Sequence, residues 1–402
     1  MRIKIHKSSL QGTVVAPPSK SMAHRMLIGA GLSCGESRVK GIAPSEDILA
    51  TLDCLKEIGA EYTYDGDTVV INGAGKKDFA SERELCCRES GSTLRFFIPL
   101  CLLDGKKTIL RGSEKLLSRP LGVYESICKT QGIAYSNNGK EITLQGTLAS
   151  GSYKIQGNIS SQFISGLMFA LPLLEGDSTI DIIPPIESCS YINLTICALR
   201  EFGVEIRWLD ERTLYIPGSQ TYTPCDTEVE GDYSNGAFFE ALNYLGHNVS
   251  VDGLRSDSIQ GDRVYLEYFP MLEKGTPTVH LSDCPDLGPV LFALAAAKNG
   301  GVFTGTHRLR IKESDRGAAM AQELKKFGAS VRIEEDTIVV YPADFHMPED
   351  VLCGHNDHRI VMSMAILLTK TGGIIDGAEA VKKSMPDFFE KLEQLGAEVE
   401  EI

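Results

Sequence analysis

The chain has 402 residues, room for two or three domains, and its hydrophobic share of 43% is that of an ordinary globular protein. Lys and Arg number 40 against 54 Asp and Glu, a net charge of −14, which excludes a general nucleic-acid-binding surface. Any anionic ligand must therefore be drawn by a local basic cluster. The eleven cysteines are odd in number and form no C-x-x-C pair. They read as reduced core thiols of a cytoplasmic protein.

In chain order, Met1-Arg2-Ile3-Lys4-Ile5-His6 alternates like a strand and carries no signal-peptide core, and Gly12–Ala16 reads as a second strand. A short polar loop then opens an apolar helix six times, at Pro18-Ser19-Lys20-Ser21, Glu89-Ser90-Gly91-Ser92, Ser160-Ser161-Gln162-Phe163, Gly231-Asp232-Tyr233-Ser234, Pro285-Asp286-Leu287-Gly288 and Asn356-Asp357-His358-Arg359. Counted at Ser19, Ser90, Ser161, Asp232, Asp286 and Asp357, the intervals are 71, 71, 71, 54 and 71 residues. A helix-ending glycine follows each start, at Gly59, Gly132, Gly203, Gly275, Gly328 and Gly396, and most are followed by a hairpin-like tail. Only 11 residues separate Gly275 from Asp286, so the fourth repeat lacks its hairpin, and the sixth stops six residues after Gly396. The N-terminal strand is expected to complete the C-terminal half. That places one domain at 14–228 and the other at 1–13 plus 229–402, with three repeats in each. The longest apolar run, Leu167 to Leu174, is too short to span a bilayer.

Within the fifth repeat, Arg308, Arg310 and Lys312 alternate with Leu309 and Ile311, the period-2 pattern of a half-buried strand. Ser314 or Asp315 then caps a helix whose stripe is Gly317, Met320, Leu324 and Phe327. Arg316 sits in the first turn, where the helix dipole disfavours a cation by roughly 0.3–1 kcal/mol. Pairing with Glu313 or Asp315 would explain it; so would a role in which Lys312, Glu313 and Arg316 point together at an anion. Lys20, Arg25, Arg95 and Arg359 also lie in or near first turns. Capping does not call for cations there. Convergent helix starts holding phosphate or carboxylate do. His6, His24 and His355 lack metal-ligand spacing, and no metal is expected.

These loops resemble the signatures of enolpyruvylshikimate-phosphate (EPSP) synthases. The similar stretches are Pro18-Ser19-Lys20-Ser21-x-x-x-Arg25, Ser90-Gly91-Ser92-Thr93-Leu94-Arg95, Ser118-Arg119-Pro120-Leu121-Gly122, Gly157-Asn158-Ile159-Ser160-Ser161-Gln162-Phe163, Leu309 to Arg316, Asp357-His358-Arg359 and Lys383-Ser384-Met385-Pro386-Asp387, in the family's order. The resemblance implies a mixed α/β fold, a two-domain inside-out α/β prism of six βαβαββ repeats with the active site between the domains. It implies transfer of the enolpyruvyl group of phosphoenolpyruvate to shikimate 3-phosphate, in aromatic amino acid biosynthesis. No cofactor is implied, and the partners are the two small substrates, with no nucleic acid and no membrane; a monomer is expected.

The resemblance also assigns residues. Lys20, Ser21, Arg25, Ser160, Ser161, Gln162, Ser188, Tyr191, Asp286 and Lys312 are expected around shikimate 3-phosphate. Lys20, Gly91, Arg119, Gln162, Arg316, Arg359 and Lys383 are expected around phosphoenolpyruvate. Asp286 is the candidate base toward the substrate hydroxyl and Glu313 the proton donor and acceptor at the methylene carbon; Lys20 is counted with them. Arg95 is expected to be a structural ion pair and His358 a packing residue. The related transferase acting on UDP-N-acetylglucosamine has Lys-Asn where this chain has Lys20-Ser21, and usually a Cys in the loop that here, from Glu114 to Val123, has none. A non-catalytic anion-binding scaffold would not need both Asp286 and Glu313. One departure from the most familiar family form, Glu89-Ser90-Gly91-Ser92 with Phe96 after Arg95, bears on glyphosate sensitivity.

Overall fold

The computed structural model describes residues 1–75 and 82–402. They form two domains: Lys20–Glu230, inserted into the chain, and a discontinuous domain of Met1–Ser19 with Gly231–Ile402. Sheet and helix recur as the sequence spacing requires. In the second repeat Glu82–Cys86 lies parallel to Lys107–Arg111, which pairs antiparallel with Glu141–Gln145, and Ala134–Asn137 closes the edge. The third and fifth repeats copy this order. The first does too, with its outer strand supplied by Thr227–Glu228 beside Val39 and Lys40.

The fourth repeat has no hairpin: Asn248–Asp252 pairs only with Gln11–Val15, in parallel. In the sixth, Arg2–Ile5 takes the place of the missing hairpin strand, between Gly373–Asp376 and Val399–Glu401. The chain thus passes between domains at Ser19/Lys20 and Glu230/Gly231. Those points lie beyond the 13/14 and 228/229 boundaries read from spacing, because a cut after Thr13 would split the strand Gln11–Val15. The helix ends follow the glycines: Gly132 takes φ 69°, and Gly59, Gly203, Gly328 and Gly396 are also positive, whereas Gly275, which leads to no hairpin, is extended at 175°.

Each polar loop opens a helix that is apolar nearly all round, and such helices are buried by the elements about them. Every residue from Gly288 to Ala296 is buried, as is Met22–Leu32. In the inserted domain the helix Gly91–Leu100 packs on Ser161–Ala170, and Lys20–Leu32 on Cys189–Glu201; in the discontinuous domain Gly288–Ala297 packs on His358–Thr371 and Tyr233–Tyr244. The second helices of the repeats, such as Glu46–Glu57 and Arg316–Lys326, are amphipathic and cover the sheets. Among the described residues no helix is long and apolar enough to cross a membrane.

One expected element differs. Residues 307–311 are a 3-10 turn, not a strand. The sheet strand is Gly301–Thr304, and Gly305 at φ 69° ends it. The alternation misleads because Arg308 is buried beside Leu309 rather than facing solvent.

Candidate active site

In the discontinuous domain the helix starts bring charge together. Arg316 is the first residue of Arg316–Lys326, capped by Asp315, which accepts from the Ala318 N–H at 3.0 Å. Its guanidinium is only 1% exposed and donates to three carboxylates: Nε to Asp357 Oδ2 at 3.0 Å, Nη1 to Asp286 Oδ1 at 2.7 Å and Nη2 to Glu313 Oε2 at 2.8 Å. Burial opposes its charge, but Asp357, Glu313 and Asp286 outweigh it and hold the guanidinium more firmly protonated than usual. These carboxylates offset the cost of placing a cation at a helix start.

Asp286 is the hub. It accepts from Arg316, from Arg359 Nη2 at 3.0 Å and from Lys312 Nζ at 3.2 Å. Burial pulls its pKa up, yet Arg359, Lys312 and Arg316 win and keep it well below the usual carboxylate range. Burial lowers the Lys312 pKa, with Asp286 opposing. Asp357 caps the His358–Thr371 helix through the Arg359 N–H at 3.0 Å and accepts from Ser314 Oγ at 2.9 Å. Arg359 is buried, and its Nε and Nη1 have no protein acceptor, so three N–H groups on two nitrogens remain for a ligand. Lys383 Nζ donates to the Asn356 carbonyl at 2.7 Å. His358 is buried at the helix start. The cluster is not the bare cationic pocket that two anionic substrates suggest: Lys312, Arg316 and Arg359 face Asp286, Glu313 and Asp357. Unpaired like charges could not be buried so deeply.

In the inserted domain Arg25 is held by neutral groups instead. Arg25 is buried and donates to Thr195 Oγ1 at 2.8 Å, the Ser21 carbonyl at 2.6 Å, the Tyr191 carbonyl at 3.1 Å and Ser165 Oγ at 3.5 Å. Its charge lies 5.4 Å from the Phe96 ring centre, and burial lowers its pKa to about 10. Gln162, in the first turn of Ser161–Ala170, accepts from Arg95 Nη1 at 2.7 Å and donates to Ser92 Oγ at 2.9 Å. Arg95, expected in a structural ion pair, thus orients a predicted site residue and stacks 5.2 Å from the Phe163 ring. Ser160 caps this helix and Ser161 is its buried first residue.

At Gly91 a Cβ would meet Arg119 Nη1 at 2.8 Å and Arg95 Nη1 at 3.2 Å, so only glycine admits both guanidiniums. Arg119 Nε is buried without a protein acceptor. Lys20 has an ion pair, with Asp47 at 2.8 Å. Ser188 holds φ 57° just before Cys189–Glu201, and Tyr191 lies in that helix's first turn. The sequence reading did not single out Asp357, Ser314, Asp47 or Thr195 as site residues. Asp357 and Ser314 had a signal, since both lie in quoted motifs; Asp47 and Thr195 became visible only through tertiary contact.

The EPSP synthase (3-phosphoshikimate 1-carboxyvinyltransferase) family model matches residues 5–392. The 3-phosphoshikimate 1-carboxyvinyltransferase of Clostridium novyi is 41% identical over 428 aligned positions covering 99% of this chain and 98% of that protein. That of Clostridium kluyveri is 40% identical with the same coverage. Among solved structures, an EPSP synthase from Acinetobacter baumannii shares the fold over all of both chains, with TM-score 0.80 at 23% identity. The enolpyruvyl transferase NikO from Streptomyces tendae shares it at TM-score 0.80 and 14% identity over 99% of this chain and 98% of that one. With its repeats, charged helix starts and near-complete match, this chain belongs to the EPSP synthase (3-phosphoshikimate 1-carboxyvinyltransferase) family.

Proposed function

We propose that this protein transfers the enolpyruvyl group of phosphoenolpyruvate to the 5-hydroxyl of shikimate 3-phosphate, giving 5-enolpyruvylshikimate 3-phosphate and phosphate, on the route to chorismate and the aromatic amino acids. The observation that carries this reading is Asp286, held by three cations beside Glu313 in the discontinuous domain. The roles divide by domain. Ser21, Arg25, Ser160, Ser161, Gln162, Ser188 and Tyr191 serve shikimate 3-phosphate, joined by Asp286 and Lys312. Arg316, Arg359 and Lys383 serve phosphoenolpyruvate, with Gly91 and Arg119, while Lys20 and Gln162 serve both. The spare N–H groups of Arg359 and Arg119 support that assignment.

In the addition step the 5-hydroxyl oxygen bonds to C2 of phosphoenolpyruvate, its proton passes to Asp286, and C3 takes a proton from Glu313. In the elimination step Glu313 removes a proton from the new methyl group, the C2–O bond to phosphate breaks, and the departing phosphate takes up the proton held by Asp286. An Asp286 ringed by cations is a weak base. Anionic phosphoenolpyruvate competes for those same cations, and drawing Arg359 or Lys312 toward the ligand raises the basicity of Asp286 when the base is needed. Phosphate release assayed with the two substrates tests the reading. Release that depends on both is expected, and none from either pair member alone; no release with both present would overturn it. The protein acts on small molecules, and we take it to be cytoplasmic and monomeric.

A further inference from the structure

The helix that begins with Arg316 carries a second buried charge with no part in the proposed chemistry. Glu323 lies seven residues on, two turns along the same face, and is 0% exposed. Both residues reach the same segment. Arg316 holds Asp357, while Glu323 Oε2 accepts the Cys353 N–H at 2.9 Å and Glu323 Oε1 binds the His355 ring Nε2 at 2.8 Å. Lys326 completes the grip, donating to Glu323 Oε2 at 2.8 Å and to the Val351 carbonyl at 3.0 Å.

Between the two grips the backbone does something unusual. His355 and Asn356, neither of them glycine, take φ 50° and 52° in succession. Such a pair persists only where surrounding contacts fix it. The other side of the loop is pinned by Gly354, whose N–H donates to the Asp376 carbonyl at 2.8 Å. A Cβ at Gly354 would come within 2.7 Å of the Gly377 carbonyl oxygen. The turn at 355 and 356 presents the Asn356 carbonyl to Lys383, the Asp357 carboxylate to Arg316 and Ser314, and the following Arg359 to Asp286.

We propose that Glu323 is a positioning residue: by gripping Cys353 and His355 it sets the turn that aims Asp357, Arg359 and the Lys383 contact at their partners. This rests on the assignment of Arg359 and Lys383 to phosphoenolpyruvate. It extends that assignment to a carboxylate that touches neither substrate. Bonds from His355, Lys326 and the Cys353 N–H keep Glu323 ionised although burial works against it.

The test is steady-state phosphate release by Glu323→Gln with each substrate varied in turn. The KM for phosphoenolpyruvate should rise roughly ten- to hundredfold, as expected when a remote change misplaces binding groups. The KM for shikimate 3-phosphate should stay within about twofold, since most of its contacts lie in the other domain. His355→Gln, at a partly exposed site, should move the same constant in the same direction and covers the case in which Glu323→Gln fails to fold. Equal rises in both KM values, or none, would sink the proposal. Hydrogen exchange at the Cys353–Arg359 amides reads it without turnover. Protection should fall in both variants, and unchanged protection overturns the proposal whatever the wild-type enzyme catalyses. A wild type that releases no phosphate overturns the functional reading alone.

Discussion

The two domains use one architecture but hold two buried helix-start cations, Arg316 and Arg25, in opposite ways. At the helix starts of the discontinuous domain, Lys312, Arg316 and Arg359 are matched by Asp286, Glu313 and Asp357. In the inserted domain Arg25 is held by hydroxyls and carbonyls, and Arg95 by Gln162. The neutral acceptors around Arg25 satisfy its hydrogen bonds and leave its positive charge uncancelled, so Arg25 presents a standing attraction to an anion. Ion pairs cancel the charge until an anion exchanges for a carboxylate. Under the proposed assignment Arg25 serves to bind, and the cluster around Asp286 has its protonation equilibria shifted by binding. That division fits a reaction in which the shikimate phosphate is never broken and proton transfers occur beside phosphoenolpyruvate.

Breaking the matched charges should cost most. Asp357→Asn leaves Arg316 buried with one carboxylate fewer and should destabilise the protein by roughly 3–5 kcal/mol. Thr195→Val, which removes one neutral acceptor from Arg25, should cost only about 1.5–3 kcal/mol. Urea unfolding of the two variants compares them directly, and equal losses would erase the contrast. Next in size is chemistry. Glu313→Gln should lower turnover by at least ~100-fold while ligand affinity stays nearly constant, because one proton donor and acceptor is lost while the side chain keeps its size and shape. Near-normal phosphate release would remove Glu313 from the mechanism.

Much of this was legible in the chain itself, for identifiable reasons. The six helix starts were visible because capping needs Ser, Asp or Thr at fixed positions, and Ser90, Ser160, Asp232 and Asp357 all accept the expected N–H bonds. The missing hairpin of the fourth repeat followed from spacing alone. What stayed hidden was pairing across distance. Arg316 and Asp357 are 41 residues apart, and nothing local says that they meet. Glu323 is subtler, since Glu323-Leu324-Lys325-Lys326 reads as an exposed helix pair; only the loop folding over it makes it a buried anchor. The strand expected at 308–312 failed because period-2 alternation cannot tell a solvated arginine from the buried Arg308.

Arg119 sharpens the comparison at smaller cost. It sits against Gly91 with a spare Nε–H in the inserted domain. Arg119→Lys keeps the charge and loses the planar two-pronged contact, so phosphoenolpyruvate should bind roughly ten- to hundredfold more weakly. Shikimate 3-phosphate should change far less. Titration calorimetry with each ligand measures this, and equal weakening of both would contradict the assignment.

The smallest effect concerns His24, one turn after Lys20 and next to Arg25 in the same helix. Its Nδ1 bonds Thr51 Oγ1 at 2.7 Å, and its ring meets Phe96 edge-on. Burial first, then Lys20 and Arg25, hold its pKa well below the ordinary value of 6.5. In the unfolded chain the imidazole takes up a proton near pH 6.5, whereas in the folded domain it stays neutral. The unfolded state therefore binds more protons as pH falls, and stability drops on acidification below about 6.5, by up to ~1.4 kcal/mol per pH unit. The chain's single tryptophan, Trp208, lies in the same domain and donates to Asn193 at 3.0 Å, so its fluorescence reports that domain's unfolding. Urea midpoints followed this way between pH 7.5 and 5 should fall for the wild type. His24→Asn, which still reaches Thr51 but cannot take up a proton, should show a flatter dependence. Parallel curves would mean that the acid sensitivity of this domain comes from another group, and not from His24 beside Lys20 and Arg25.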